Sequence, residues 1–497
     1  MSTKKILAVL LALFVLATAV SGCGNSGSSS ADSQSGSSAT SENSASSEDT
    51  ASTDGEVPTI SLMVVCGTTP PDADAVAEKL SEITREKIGC NVEFITMEIG
   101  NVAQQLNLLL SGGDDTLDVF MAGISVPYST IVNNGQALSL DTLMEPYAEE
   151  VKTALGEKVY ESGRVNGELY GIGRLLDQAS TTCYNLRRDI AEEFGYKNGD
   201  KVDLAELTEL FGKVREKYPD TPLIGPMNGV PSIGDSRIDS LGNKLGVLDN
   251  YGQDTTVTNY YESAGYEELV GYFKQWKEMG CYMADILNVT DAPIDYIPSG
   301  KAFGCFASHF SAEMNGIWSS QNFGTDIASL QIYEDAVAIT PGAYECINPA
   351  TKNPEAAAAL IYLMATDPDV ENLLINGIEG QHYQVLEDNT ATYVDGKDIS
   401  TTGWCLGYSW TALNSTISIP FEYPADYYDR LLEANKNAQQ SKAFGCQFDL
   451  TGVSDAVSAC TNVVNQYENA LSGGAVEDFD ATLAQFQQGL RDAGIDE

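Results

Sequence analysis

Apolar residues recur with two different spacings between residues 59 and 121. Apolar runs predict strands over 59–65 and 117–121, and Val92 and Phe94, which fall on one side, predict another strand over 91–96. Between these runs, apolar side chains recur every three or four residues, as they do on one face of a helix. The first such face carries Val76, Leu80 and Ile83, and the second carries Val102, Leu106, Leu109 and Leu110. The pattern therefore predicts strand, helix, strand, helix and strand.

Strands and helices that alternate at these lengths predict a parallel sheet with right-handed connections. Such sheets bind ligands beyond the carboxyl ends of their strands. Two loops lie at those ends, one at 67–69 and the other at 122–125. We therefore take Thr68 and Ser125 as candidate ligand contacts.

The rest of the chain continues the α/β pattern. A tight hairpin is predicted at 165–172, because Asn166-Gly167 favours a two-residue turn. Asn353, Pro354 and Glu355 predict a helix start, with a cap, a first-turn proline and an acid at the positive helix end. Further segments are predicted as helices at 204–218, 266–279, 426–441, 453–471 and 479–493, and as a strand at 301–307.

The first 22 residues predict a secretory signal. Lys4 and Lys5 precede an uncharged, mostly apolar run from 6 to 20, which is shorter than the roughly 20 residues of a membrane span. The following Val20-Ser21-Gly22-Cys23 resembles the lipobox of bacterial lipoproteins. That resemblance implies cleavage before Cys23 and a diacylglycerol thioether on its sulfur. The alternative is an ordinary secretion signal with a chance cysteine.

Residues 23–56 predict a lipidated cysteine followed by a disordered tether. Ser, Ala, Gly and Thr dominate this stretch, and it has no aromatic residue with which to form a core. Together the signal, the lipid and the tether predict a protein anchored at the outer face of the cell membrane.

The charge of the chain argues against two classes of binding partner. The chain has 71 acidic and 27 basic residues, a net charge of −44, so nucleic acid and anionic lipid are poor partners for it.

Residues 57–497 are too many for one core and indicate two lobes. The sequence has no P-loop, no His-Glu-x-x-His and no Gly-x-Ser-x-Gly, and its only histidines are His309 and His382. We therefore predict no catalytic residue, no metal and no cofactor.

Nine cysteines remain besides Cys23, and an odd number cannot all pair within one chain. No C-x-x-C spacing indicates a zinc site. Several thiols, such as Cys66 and Cys305, lie in apolar runs and are expected to pack as small core residues. One or two disulfides stay open as an alternative.

Several motifs together resemble the family 1 extracellular solute-binding proteins of sugar-type ABC importers. They are the lipobox, the Ser-rich tether, the hairpin at 166–172 and the helix start at 350–355. The segment Gly377-Ile378-Glu379-Gly380-Gln381-His382-Tyr383 is similar to a Gly-Ile-Glu-Gly-x-x-Tyr block of a lipoprotein subgroup. The resemblance covers essentially the whole mature chain and is weakest over 225–300.

This resemblance implies the α/β type II binding-protein fold, with two lobes, a hinge and a cleft between the lobes. Lobe one is expected to comprise 57–170 and 342–400. Lobe two is expected to comprise 171–341 and 401–497, including the C-terminal helices. The resemblance also implies that the two lobes close about the hinge when a ligand binds.

Carbohydrate sites combine flat aromatic faces with convergent carboxylates and amides. Trp404, Tyr408 and Trp410 share one Gly-rich segment, either as a stacking platform or as packing between lobe two and the C-terminal helices. Glu313 and Trp318 follow the strand predicted at 301–307, where this fold meets ligand; core packing is the alternative.

Four more residues complete the candidate set. Arg174 and Asp177 follow the first expected crossing between lobes, either as ligand contacts or as a hinge salt bridge. Glu379 and Tyr383 belong to the family-like block, where they either contact ligand or shape the turn. Trp276 is expected in the core, because Phe273 precedes it at helical spacing.

The resemblance thus implies a monomeric lipoprotein, not an enzyme, that captures an extracellular solute, foremost an oligosaccharide, and delivers it to an ABC permease. Two alternatives stay open: a secreted carbohydrate hydrolase that uses two carboxylates, and a sensory or adhesive lipoprotein that uses the same fold.

Overall fold

The computed structural model describes residues 57–112, 116–124, 126–175, 178–227, 233–289, 291–333, 336–404, 411–448 and 450–497. The predicted signal and tether, with Cys23, lie outside the described residues. So do four of the candidate ligand contacts, namely Ser125, Asp177, Tyr408 and Trp410.

Sixteen strands are present in the described part of the chain. They are β1 Thr59–Cys66, β2 Asn91–Glu98, β3 Val119–Ala122, β4 Arg164–Val165, β5 Glu168–Leu169, β6 Gly171–Gly173, β7 Ala179–Arg187, β8 Gly246–Leu248, β9 Val257–Asn259, β10 Gly304–His309, β11 Ile327–Gln331, β12 Val337–Ala338, β13 Tyr344–Ile347, β14 Tyr383–Val385, β15 Ala391–Tyr393 and β16 Gln439–Gln440.

Eleven helices of eight or more residues pack around these strands in the same described ranges. They are α1 Ala73–Lys87, α2 Val102–Ser111, α3 Ala148–Leu155, α4 Leu204–Lys217, α5 Ala264–Glu278, α6 Ala312–Phe323, α7 Pro354–Thr366, α8 Pro368–Asn376, α9 Tyr427–Asn437, α10 Ser454–Ser472 and α11 Phe479–Asp492. Shorter helical segments include Tyr128–Asn133, Asp141–Met144, Glu157–Glu161, Arg188–Glu193 and Pro293–Tyr296.

Lobe one is built on a five-stranded sheet in the order β2-β1-β3-β13-β6. β1 runs parallel to β2 and β3, whereas β13 runs antiparallel to both of its neighbours. Alternate side chains of β1 enter two cores, because strand residues point to opposite faces. Leu62 packs towards α1, α3, α7 and α8, and Met63 packs towards α2 and the helix Tyr128–Asn133. Helices on both faces explain why β1 has no polar face.

Lobe two is built on a second sheet in the order β10-β7-β12-β16, with β11 also paired to β7. One face packs against α4, α5, α10 and α11, and its core includes Trp276, whose Nε1 donates to Thr208 Oγ1 at 2.9 Å. The other face packs against α6 and α9 through Met314 and Leu431. Trp276 therefore lies in the core, as the sequence predicts.

Four chain segments lie side by side where the lobes meet, and we call them the hinge ribbon. Across the ribbon, the segments follow one another in the order 439–447, 337–344, 173–180 and 411–415. Of 173–180, the structure describes 173–175 and 178–180. β12 pairs with β16 on one side and with β7 on the other. The Leu175 N–H donates to the Leu413 carbonyl at 2.7 Å, which adds the fourth segment. The ribbon therefore has two edges, one at 439–447 and one at 411–415.

The predicted α/β fold is confirmed, with strand and helix positions close to those expected. One local detail differs: Asn353 occupies the N-cap of α7, but its side chain makes no capping hydrogen bond. Eight cysteines are described and all are free thiols, seven of them buried. None of the helices in the described ranges has the length and hydropathy of a membrane-spanning segment.

Candidate functional site

A cavity of about 400 Å³ lies between the lobes, beside the carboxyl end of β3, and we call it the hinge cleft. It flanks the 439–447 edge of the hinge ribbon. Its walls are formed by 123 and 127–129 of lobe one, by 239–243 of lobe two, and by 339–342, 344, 443, 446–448 and 450. The position matches the expectation that ligands bind beyond the carboxyl ends of parallel strands.

A close backbone approach places the end of β3 against the hinge ribbon. Gly123 has φ +108°, and a Cβ atom built there would lie 1.9 Å from the carbonyl oxygen of Gly342. Only glycine fits both the left-handed conformation and this contact. The loop after β3 is therefore fixed directly to the second ribbon segment.

Two stacked tyrosines form the floor of the hinge cleft. The rings of Tyr128 and Tyr344 lie 4.1 Å apart, and the Tyr128 hydroxyl donates to the Gly163 carbonyl at 2.6 Å. Burial raises the pKa of both phenols, so both stay neutral at physiological pH. Gln447 Nε2 donates to the Tyr344 hydroxyl at 2.9 Å and links the C-terminal segment to lobe one. The floor is thus held by contacts from both lobes.

The lobe-two wall supplies polar groups and one exposed ring. Asp239 Oδ1 accepts from the Leu241 N–H at 3.0 Å, which orients the carboxylate within a turn. Leu241 adopts φ +45° in that turn, a strained conformation for a leucine. Asn243 and Gln447 add amides, and the Phe448 ring is 41% exposed. A carboxylate, two amides and an accessible ring suit the hydroxyls and C–H faces of a sugar.

A second cavity of about 470 Å³ lies at the opposite, 411–415 edge of the hinge ribbon, and we call it the aromatic groove. Lobe one contributes α8 residues and 393, 398 and 399, and lobe two contributes residues of α6 and α9. Its aromatic lining consists of His309, Trp318, Tyr393, Phe421, Tyr423, Tyr427 and Tyr428.

Trp318 is the only described sequence candidate that lines either cavity, and it lies in the aromatic groove. Glu313, on the same helix, is exposed and pairs with Arg430 at 3.0 Å. Thr68 is exposed after β1 and lines neither cavity. The structure therefore does not bring these three residues together.

Arg174 is buried, at 3% exposure, in the 173–180 segment of the hinge ribbon. Its guanidinium lies 3.8 Å from the sulfur of Met121 and near two fully buried carboxyl groups, those of Glu345 and Glu371. Burial raises the pKa of each carboxyl group to about 8, and the positive charge of Arg174 opposes the shift. None of these three residues lines a described cavity.

The family-like block folds into a turn supported by buried contacts. Glu379 is exposed, whereas Tyr383 is buried at the start of β14. His382 Nδ1 accepts from the Ile378 N–H at 2.8 Å, and its Nε2 contacts Asp72 at 3.1 Å. These contacts tie the block to the start of α1.

Trp404 is 1% exposed and packs in the core of lobe one, beyond the boundary expected at residue 400. Its Nε1 donates to the Leu374 carbonyl at 3.1 Å, and Phe94 packs against the ring at 5.6 Å. The buried indole lines neither cavity.

Sequence reasoning missed the lobe-two wall at 239–243 and the ring of Phe448. The wall falls within 225–300, where the family resemblance is weakest, so no motif marked it. In the described part of the chain, no cluster of three or more His, Cys, Asp or Glu side chains is arranged to hold a metal ion.

Comparisons with known proteins identify the fold. A family model described as a domain of unknown function, DUF3502, matches residues 442–497. A protein of Streptococcus pneumoniae serotype 4, named carbohydrate ABC transporter substrate-binding protein, is 23% identical over 457 residues, which cover 89% of each chain.

The crystal structure of the N-glycan transport solute binding protein NgtS from Streptococcus pneumoniae superposes with a TM-score of 0.73. Its identity is 20%, over 88% of this chain and 95% of that chain. An HMO-binding ABC-transporter-associated solute binding protein from Bifidobacterium longum infantis gives a TM-score of 0.60 at 15% identity, over 88% and 96% of the two chains. The two-lobed solute-binding fold and the predicted resemblance are therefore confirmed.

Proposed function

We propose that this chain is the substrate-binding component of a carbohydrate ABC importer. An extracellular oligosaccharide binds in the hinge cleft, the lobes close around it, and the loaded protein delivers it unaltered to a membrane permease. The observation that carries the proposal is the hinge cleft itself, an interlobe cavity at the carboxyl end of β3 with a carboxylate, amides and an exposed ring in its walls.

The relatives suggest the class of ligand. The curated relative is named for carbohydrate transport, and NgtS has been crystallised in complex with Man1GlcNAc and with Man5GlcNAc. Glycans of mannose and N-acetylglucosamine are therefore the first probes to use. The net charge of −44 also favours a neutral sugar over an anionic one.

The N-terminal sequence supports a lipid anchor at the outer face of the membrane. A charged start, a short apolar run and small residues precede Cys23. We propose that Cys23 carries the lipid and that a monomeric body, held by the 24–56 tether, meets the permease there. Mass spectrometry of the membrane-extracted protein should show a diacylglycerol-modified N-terminal cysteine, which Cys23→Ser should abolish.

Calorimetric titration tests the binding site. With Man1GlcNAc and related glycans, we expect dissociation constants near the micromolar scale, about −8 kcal/mol. Phe448→Ala and Asp239→Asn should each weaken binding at least tenfold, because they remove the exposed ring and the carboxylate from the wall. The control is Asp220→Asn, a change at an exposed site that lines neither cavity.

Two outcomes would contradict the proposal. One is parental affinity in both cleft variants while the parent binds glycan. The other is release of shorter sugars by the purified protein, which would indicate a hydrolase. A Tm change below about 2 °C in each variant confirms that lost affinity does not reflect unfolding.

A further inference from the structure

We propose that the aromatic groove is a second carbohydrate-binding site, separate from the hinge cleft and formed jointly by both lobes. The two cavities flank opposite edges of the hinge ribbon, and no described residue lines both of them. The proposal goes beyond import through the hinge cleft and holds whether or not that cleft takes the transported glycan.

The first argument is the number of aromatic rings in the groove. Tyr423 and Tyr427 stack at 4.2 Å, and Tyr393 meets Phe421 edge to face at 4.7 Å. Trp318 joins them from α6 of lobe two and is only partly buried. Accessible rings concentrated in one cavity give the apolar faces on which sugar C–H surfaces pack.

The second argument is a buried acceptor without a partner. Asn376 is fully buried at the end of α8 and lines the groove. Its Nδ2 donates to Asn372 Oδ1 at 3.3 Å and to the Ile419 carbonyl at 3.2 Å, whereas its Oδ1 accepts no hydrogen bond from any residue that the structure describes. A buried, unpaired acceptor is costly, and a ligand hydroxyl that donates to it would remove that cost.

The third argument is strain in the groove wall. Glu422 adopts φ +54°, a conformation that non-glycine residues rarely take. Its N–H donates to the Ala391 carbonyl at 2.9 Å in lobe one, and its carbonyl accepts from Gln321 Nε2 in lobe two. Contacts from both lobes hold this strained conformation in place. Strained backbone of this kind is typical of ligand-binding positions.

The charge of the groove selects a neutral, hydroxyl-rich ligand. Its described lining contains the acids Asp398 and Glu422 but no lysine or arginine, so it offers no partner to a phosphate or carboxylate. His309 Nδ1 accepts from the Ser311 N–H at 3.4 Å, which places the ring proton on Nε2, and burial lowers the pKa of the imidazole to about 4. The ring therefore acts as an uncharged donor beside the acids.

Fluorine NMR of protein labelled with 5-fluorotryptophan tests the proposal. The full chain has four tryptophans, and Trp318→Phe identifies the resonance of the groove. We titrate Man1GlcNAc, chitotriose and maltotriose separately. At least one should shift the Trp318 resonance with a saturating dependence on sugar concentration.

Groove and cleft variants separate the two sites. Phe421→Ala should raise the sugar concentration at the midpoint of the Trp318 shift at least tenfold. If the alanine variant folds poorly, Phe421→Leu replaces it, because leucine keeps most of the apolar volume but removes the ring, and the same change is expected. Tyr362→Ala is the matched control, because it removes one ring of another stacked pair, at 4.6 Å from Tyr147, that lies in neither cavity. Asp239→Asn, in the hinge cleft, should keep the midpoint of the Trp318 titration within twofold of the parent value.

Three outcomes would overturn the second site. One is the absence of any Trp318 shift with all three sugars at millimolar concentration. Another is loss of the shift in Asp239→Asn but not in Phe421→Ala, which would mean that Trp318 only reports lobe movement. The third is loss of all calorimetric glycan binding in Phe421→Leu while the hinge-cleft variants bind as the parent does. The aromatic groove would then be the single glycan site, and the proposed role of the hinge cleft in import would fail.

Discussion

The carboxyl group of Glu371 accepts a 3.0 Å hydrogen bond from the backbone N–H of Leu413. This bond joins α8 of lobe one to the 411–415 edge of the hinge ribbon. Glu371 is fully buried, as is Glu345 nearby, and burial raises the pKa of both carboxyl groups. Both carboxyl groups therefore retain their protons at neutral pH, when carboxyl groups in the unfolded chain have lost theirs.

Glu371→Gln should flatten the dependence of stability on pH. A carboxyl group with an ordinary pKa of 4.5 and a folded value of about 8 favours the folded state below pH 4.5, and that contribution is lost as the pH rises to about 8. Glutamine cannot ionise, so the free energy of unfolding in urea should change less between pH 5 and pH 9 than it does in the parent, by about 4 kcal/mol. Glu355→Gln, at an exposed site, is the control. An unchanged difference between the two pH values in Glu371→Gln would contradict the assignment.

The fold was predictable where apolar spacing is regular. The run at 59–65 corresponds to β1, because a strand covered on both faces of its sheet is apolar at nearly every position. Val92 and Phe94, which fall on one side of 91–96, correspond to β2 at the edge of the same sheet. The final helices likewise lie near 453–471 and 479–493, as their spacing predicts.

The candidate site was less predictable, because it depends on contacts between distant segments. Trp404 and Trp318 look equally suited to stacking in sequence, yet Trp404 packs against Phe94 and Leu374, while Trp318 lines a cavity. Asp239 and Phe448 line the same hinge cleft from positions about 200 residues apart in the sequence. Neither lies in a motif, so no local pattern marked them.

Trp404→Phe should reduce stability without changing glycan affinity. The substitution removes the Nε1 donor to the Leu374 carbonyl and leaves a void in the core of lobe one, at a cost of about 2 kcal/mol. Trp318→Phe, at a partly buried site, should cost less than about 1 kcal/mol. Urea unfolding and calorimetry measure the two quantities. Lower glycan affinity with parental stability in Trp404→Phe would instead support the stacking platform.

Gly123→Ala should disturb the hinge much more than Gly135→Ala. Both glycines have positive φ, but an added Cβ at Gly123 meets the Gly342 carbonyl, whereas one at Gly135 meets nothing within 4 Å. Gly135→Ala should therefore cost about 1 kcal/mol, the conformational penalty alone, and Gly123→Ala at least about 3 kcal/mol. Thermal and urea unfolding measure this difference. Equal losses in the two variants would contradict the close approach at β3.

Both histidines should titrate below their ordinary pKa of 6.5. Burial lowers the pKa of His309 to about 4, and burial also lowers that of His382, although Asp72 opposes the shift. The folded state favours the neutral rings, so their contribution to stability is lost as the pH falls from 6.5 through the folded values, by about 3 kcal/mol for His309. Because the chain has only two histidines, NMR of labelled imidazoles resolves both, and His309→Gln assigns them. A midpoint at or above 6.5 for either ring would contradict its described environment.

Small-angle X-ray scattering with and without a bound glycan is the most direct test of a two-lobed protein that closes on its ligand. At glycan concentrations that calorimetry shows to be saturating, we predict a smaller radius of gyration, with the glycan recovered chemically intact. An unchanged radius of gyration at saturation, or recovery of cleaved sugar, would contradict binding by lobe closure.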